Sequence, residues 1–314
     1  LTEEVATGCF QRPAWVRAVA AARARPHELV VVSARDGSGR LAWLPGAVHR
    51  RFGRSVFEAM PMGGYGGWVV QAPLSADDEL QLNRSWLRQA PWAMVELTCR
   101  PGRQATLPPA WELPLGPRRL QARLAALDFT THLLALSTDE AAQLARVRGS
   151  VRSYLRKIAQ LGFAFERADD EQALVRMHEW YLRGSRAWRR PAADLLPAAF
   201  FTALCSPGQA EVWTVHFRGR AVGAALFLVG RDEVQYQASG VERVDSTLSA
   251  TDAVVWAAIR HYGQRGLATM NFGASEGLDS VARFKRKFGA EAIGYRRASY
   301  LLPRRLGLGR DAGS

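Results

Sequence analysis

Of the 42 basic residues only Lys157, Lys285 and Lys287 are lysines, and two of these fall in one short run, Phe284-Lys285-Arg286-Lys287-Phe288-Gly289. A chain that writes nearly all its positive charge as Arg has kept ammonium groups here. An ammonium is compact, acts as a point charge and can lose its proton, which a guanidinium does not. Just upstream, residues 267–272 read as a short buried strand that ends in Asn271-Phe272-Gly273-Ala274-Ser275. A turn at the carboxyl end of a strand is a common place for polar side chains to meet a substrate. The spacing predicts a helix over 278–287. Lys285 follows Leu278 by seven residues and Val281 by four, so it shares the inward face. Arg283 and Arg286 then point elsewhere, and Phe284 and Phe288 pack beside the lysine. A buried ammonium in this position suits the stabilisation of developing negative charge.

Other groupings could carry binding. Arg148, Arg152 and Arg156 recur every four residues and form one helical stripe, suited to successive phosphates. Arg183, Arg186, Arg189 and Arg190 follow a second helix, with Tyr181 and Trp188 among them. Guanidinium forks grip phosphate or carboxylate and aromatic rings offer stacking. Arg186 and Arg190 are the strongest choices. Tyr236, Gln237 and Ser239 lie on one strand, where alternation sends Tyr236 to one face and Gln237 and Ser239 to the other. The six His are scattered without metal spacing, and no Gly-x-Ser-x-Gly elbow is present. No metal is therefore expected. Glu211, Asp232 and Glu233 read as strand-edge or turn residues.

The elements that position these groups come in two similar sets. In the first, Pro13 opens a helix over 14–24, followed by strand 28–33, a turn at Asp36-Gly37-Ser38-Gly39 and return strand 40–48. Strand 55–60 leads into a glycine loop around Tyr65, then helix 77–89, strand 93–98 and final strand 128–136. In the second, helices over 138–161 and 170–186 precede helix 198–204, strand 211–217, strand 220–229, strand 233–239, helix 252–264, strand 268–272 and closing strand 292–301. The spacing agrees, with seventeen residues from Pro13 to Val30 and fifteen from Pro197 to Val212. This predicts a tandem duplication of one mixed α/β unit. The expected domains are 1–136 and 137–303, with a basic flexible tail at 304–314.

Composition agrees with folded domains: 48% hydrophobic residues and ten Trp support real cores over 314 residues. Cys9, Cys99 and Cys205 are far apart and read as reduced thiols of a cytosolic chain. No apolar run reaches membrane-spanning length; residues 221–229 read as a strand. A net charge of +13 favours a polyanionic partner.

The second half resembles the GNAT acyltransferase fold, and the whole chain resembles the FemAB-like branch, the tandem-GNAT aminoacyl-tRNA-dependent peptidyltransferases. The resemblance rests on the Arg-rich helix 148–162, the segment 180–186, the strand ending Asn271-Phe272-Gly273-Ala274-Ser275 and the run 284–289. The Tyr65 loop and residues 129–133 add weaker matches. Two departures stand out. The family often has an acidic residue where this chain has Asn271. The glycine-rich loop that cradles CoA pyrophosphate in acetyl-CoA-binding relatives is replaced by residues 242–249, which contain no glycine.

The resemblance implies a cytoplasmic aminoacyltransferase with aminoacyl-tRNA as donor and no other cofactor. The acceptor would be an amine of a peptide or small molecule. Lys285 would face the oxyanion, Phe284 would shape the donor pocket, and Tyr65, Arg186, Arg190, Tyr236, Gln237, Ser239 and Asn271 would contact donor or acceptor. Arg148, Arg152, Arg156 and Lys287 would bind tRNA. Two alternatives stay open: an acyl-CoA-dependent N-acyltransferase, and a GNAT shell that binds RNA or a nucleotide without turnover.

Overall fold

The computed structural model describes residues 8–23, 27–62, 64–109, 124–156, 158, 160–187, 192, 195–204, 209–244, 249–275 and 278–302. The chain divides into two compact units. Among the described residues, those from Phe10 to Phe129 and from Gly294 to Leu302 belong to the first, and those from Thr130 to Ile293, with Gly8 and Cys9, to the second.

In the first unit, α1 (Pro13–Ala22) carries Pro at its first turn, where the missing N–H costs nothing. It packs on the hairpin β1 (Glu28–Arg35) and β2 (Leu41–Arg51). Asp36 makes the hairpin turn by accepting from the Ser38 and Arg40 backbone N–H groups. Next come β3 (Arg54–Ala59), α2 (Ala76–Gln89) and β4 (Met94–Thr98). Ser75 caps α2 by accepting from the Asp78 N–H. β1, β2 and β3 run antiparallel in sequence, while β3 and β4, joined through α2, run parallel.

The second unit repeats this plan. The hairpin is β7 (Ala210–Phe217) and β8 (Arg220–Val229), paired in turn with β9 (Glu233–Val241). α7 (Ala250–Gln264) then leads to β10 (Thr269–Ala274), parallel to β9. Ahead of the repeat stand α3 (Glu140–Arg146), α4 (Gly149–Arg156), β6 (Phe163–Ala168), α5 (Glu171–Ala187) and α6 (Ala198–Ala203). After it comes α8 (Asp279–Arg286). β8 is buried without interruption from Val222 to Val229, because α5 and α7 both lie against it. Trp256, Ile259 and Tyr262 of α7 fill the core with Trp213 and Phe227.

The shared order, two antiparallel pairings followed by a parallel one through a helix, agrees with the expected duplication. Three expectations need correction. The helix over 138–161 is two helices, broken where the Val147 carbonyl is taken by Arg152 and the Arg148 N–H is taken by the Lys287 carbonyl. β6, passed over in the sequence, pairs antiparallel with β7 and forms an edge. The closing strands are exchanged. β5 (Leu124–Ala135) sets its second half against β10, and β11 (Glu291–Leu301) runs antiparallel to β4. Each of these two strands begins in one unit and ends in the other. The sequence marks where such strands occur, not which neighbour they pair with. The tail at 304–314 and Cys205 lie outside the described residues.

α5 packs tightly on the sheet at Gly240 of β9: a Cβ there would overlap the Trp180 carbonyl, and a Cβ on Gly184 would come within 3.0 Å of the Gly240 Cα. Gly240→Ala is therefore expected to cost about 3 kcal/mol or more through overpacking. In thermal denaturation this reads as a Tm lower by about 5–10 °C. An unchanged Tm would mean that α5 can lift off without penalty.

Candidate active site of the second unit

Two groups of polar side chains lie near the carboxyl ends of β9 and β10. The first is organised by a bulge. β10 carries an extra residue relative to β5 between Asn271 and Ala274. The buried Asn271 Oδ1 holds it by accepting from the Gly273 N–H at 2.7 Å and the Thr131 hydroxyl at 2.6 Å. The carbonyls of Gly273 and Ala274 accept from the Lys285 Nζ, at 2.7 and 2.6 Å. Lys285 sits on α8 and is only 4% exposed, on the inward face the spacing predicted. Arg283 and Arg286 are exposed, as expected. His132 of β5 completes the group: it is buried, and its Nδ1 lies 3.3 Å from the Ser275 hydroxyl. Burial first, and the Lys285 charge second, push its pKa below the ordinary imidazole value.

The second group stands at the amino end of α7. Ser249 caps the helix by accepting from the Asp252 N–H, and the Tyr154 hydroxyl donates to the Ser249 carbonyl at 2.7 Å. The Asp252 carboxylate is paired with Lys287 at 2.5 Å. Lys287 Nζ also lies over the rings of Phe284 and Phe288, at 4.5 and 5.4 Å from their centroids. Lys287 is thus a half-buried link between α8 and α7 rather than a solvated charge. Phe284 supplies part of its platform and packs against the core. Tyr236 lies beside this group, its ring against Phe227 and Phe272. Burial above all raises its pKa to about 12.

The strand expected to alternate does not. β9 has a bulge at Gln237, since Phe227 opposes Tyr236 while Leu226 opposes Ala238. The extra residue reverses the parity, so Tyr236 and Ser239 share a face and their hydroxyls bond at 2.5 Å. The arginine row also changes meaning. Arg148 and Arg156 are exposed, while Arg152 is half-buried and spends Nε and Nη2 on the Val147 carbonyl. Arg186 is exposed at the end of α5, and Arg190 lies outside the described residues. In the first unit Tyr65 is 6% exposed and packs edge-on to Phe10 and against Tyr295. The glycines of its loop admit protein side chains: a Cβ on Gly66 would meet Gln11, and one on Gly67 would meet Glu79.

Sequence reasoning missed Asp252 and Tyr154, touched Thr131 and His132 only within a weak match, and named Ser275 only as part of the turn after the strand. Asp252 carries a readable signal, an acidic residue in a first turn behind a Ser cap. The others depend on strand pairing and on bulges.

Residues 145–286 match the family model described as acetyltransferase (GNAT) domain. The crystal structure of FemX is similar over 97% of this chain and 95% of its own, with 10% identity and a TM-score of 0.70. The C-terminal domain of a putative lysylphosphatidylglycerol synthetase from Agrobacterium fabrum is similar over 95% and 90%, with 15% identity and a TM-score of 0.56. L-PGS from Bacillus licheniformis is similar over 96% and 94%, with 12% identity and a TM-score of 0.51. No protein of curated function matches the sequence. The second unit is thus built around a GNAT acyltransferase domain. Over nearly its whole length the chain shares the fold of FemX, in agreement with the mixed α/β, two-unit architecture expected from the sequence.

Two measurements probe the geometry. Removing Lys285 leaves two carbonyls without their ammonium, so Lys285→Met is expected to cost about 3 kcal/mol in urea unfolding. A loss under about 0.5 kcal/mol would show that the carbonyls find other donors. His132 titrates below its unfolded value of about 6.5, so the unfolded chain binds the proton more readily than the folded one. The stability held by neutral His132 is present above pH 6.5 and is lost as pH falls below it, through the folded pKa. His132→Asn should therefore lose less stability than the parent between pH 7 and pH 5; equal losses would remove His132 from the acid response.

Proposed function

We propose that this protein is a Fem-type acyltransferase that moves an aminoacyl group from aminoacyl-tRNA to an amine of a peptide or small molecule, forming an amide. The observation that carries this choice of donor is the amino end of α7. A CoA-type donor places its pyrophosphate on the N–H groups of such a helix end. Here the first turn holds the buried carboxylate of Asp252, and the nearest cation, Lys287, is already paired with it. A second anion at that end would meet like charge. An aminoacyl ester brings no pyrophosphate to this point, and its carbonyl is already activated.

The remaining chemistry asks little of the protein. The acceptor amine attacks the ester carbonyl, a tetrahedral oxyanion forms, and the 3′-oxygen of the tRNA leaves with the amine proton. Lys285 fits the charge-stabilising part: the bulge fixes its ammonium at the end of β10, in a setting with little water. Phe284, Tyr236 and Ser239 would shape the donor side. The exposed Arg148 and Arg156 would meet tRNA phosphates, with Arg152 holding the helix that presents them. The net charge of +13 fits such a polyanion. The name of the Agrobacterium neighbour supports the class of group moved, since lysylphosphatidylglycerol carries an aminoacyl group.

The test compares donors. The purified protein should bind charged tRNA with an affinity that falls steeply with salt, and Arg148→Ala with Arg156→Ala should flatten that slope by about two units in the log–log plot. Lys285→Arg adds bulk and a planar fork, so it should cut turnover at least about tenfold with the fold intact by circular dichroism. Micromolar acetyl-CoA binding, with turnover that survives RNase, would replace this reading by the acyl-CoA one. Tight tRNA binding with no transfer to any amine would leave a non-catalytic shell.

A further inference from the structure

The six histidines look scattered in sequence, but the register of the first unit brings two of them together. β1 pairs with β2 so that Glu28 opposes Val48, and one more residue along this register sets His27 beside His49. β2 pairs with β3 so that His49 opposes Val56 and Ala47 opposes Glu58. Glu58 is therefore the diagonal neighbour of His49 on the same face. The imidazole rings stack with centroids 4.7 Å apart. One ligand atom from each of His27, His49 and Glu58 lies within 4.8 Å of the other two.

The surroundings of Glu58 favour a cation. It is 4% exposed, and Glu96, its partner across the parallel β3–β4 pair and itself 7% exposed, adds a second negative charge. Two arginines reach Glu58 only at long range, Arg23 at 3.7 Å and Arg297 at 3.8 Å, beyond hydrogen-bond distance. Glu96 is answered by Arg51 at 3.2 Å. A carboxylate taken out of water is thus left with distant charge partners and two imidazoles at its side.

We propose that His27, His49 and Glu58 form a binding site for a divalent first-row metal ion of the Zn2+ type. Two imidazole nitrogens and one carboxylate oxygen are a borderline donor set that Zn2+ accepts in tetrahedral geometry. Zn–N and Zn–O bonds of about 2.0–2.2 Å require ligand atoms about 3.3 Å apart, so the three side chains draw together on binding. Both histidines are only half-buried, which leaves a path for the ion and room for water in a fourth position. The bound ion ties three successive strands of the first unit, at the end of β1 where the sheet has an edge. Binding needs neutral imidazoles and an ionised carboxylate, so uptake of the ion releases any protons these groups carry.

The site can be tested on the tag-free full chain with Co2+ as a spectroscopic probe and Zn2+ as competitor. One equivalent of Co2+ should give visible absorption bands of four-coordinate intensity, which Zn2+ abolishes, and Zn2+ should raise the Tm. His49→Ala, His27→Ala and Glu58→Gln should each weaken Zn2+ binding at least about tenfold, whereas His216→Ala, on β7 of the second unit, should not. Glu58→Gln keeps shape and volume, so it remains informative if a histidine variant does not fold. Absence of the absorption bands, or equal Zn2+ affinity in Glu58→Gln and the parent, would overturn the proposal.

Discussion

The second unit depends on the satisfaction of two backbone carbonyls at the end of β10. A strand that bulges exposes polar groups that no neighbouring strand can answer, and buried groups of that kind are costly. The chain answers them with one ammonium. Asn271 shapes the bulge, the bulge aims Gly273 and Ala274, and Lys285 binds both carbonyls from α8. That contact fixes the helix, and the helix in turn presents Lys287 to Asp252 and to its two phenylalanine rings. A guanidinium is bulkier and holds its donors in a fixed planar fork, so the compact ammonium suits two converging carbonyls in this buried position, a structural reason for lysine alongside any catalytic one.

The same arrangement separates two jobs that the run of residues 284–288 seemed to share. Lys285 faces the sheet end, and Lys287 faces the start of α7. The latter pair is a closed electrostatic unit: a carboxylate at the positive end of a helix, itself neutralised by a cation resting on aromatic faces. Breaking a pair of this kind from one side leaves a charge stranded, so the two residues are coupled in a way their spacing along the chain does not disclose.

What the sequence disclosed followed from local pattern. The repeated order of helix, hairpin, strand, helix and strand was readable because each element has its own period and turn chemistry. The inward face of Lys285 was readable because helical spacing is regular. Parity along β9 was not, since a single extra residue at Gln237 brings Tyr236 and Ser239 to one side. The role of Arg152 was hidden by a break in the helix it was assigned to. The approach of His27 to His49 needed the hairpin register, which the Asp36 turn sets but residue types alone do not announce. Tyr65 looked available because glycines surround it, yet those glycines admit Gln11 and Glu79. Pattern reports the elements; pairing and insertion decide which side chains meet.

The exchange of the closing strands has a consequence for synthesis. β4 is made early, but the strand that pairs with its other side, β11, comes almost two hundred residues later. A ribosome releasing this chain from its amino end would expose the unpaired edge of β4 for the time needed to make almost two hundred further residues, roughly ten to forty seconds at usual elongation rates. The first unit, although first in order, is the last to be completed. Such an open edge is a template for wrong pairing, so the growing chain has reason to recruit a chaperone until its final strand arrives.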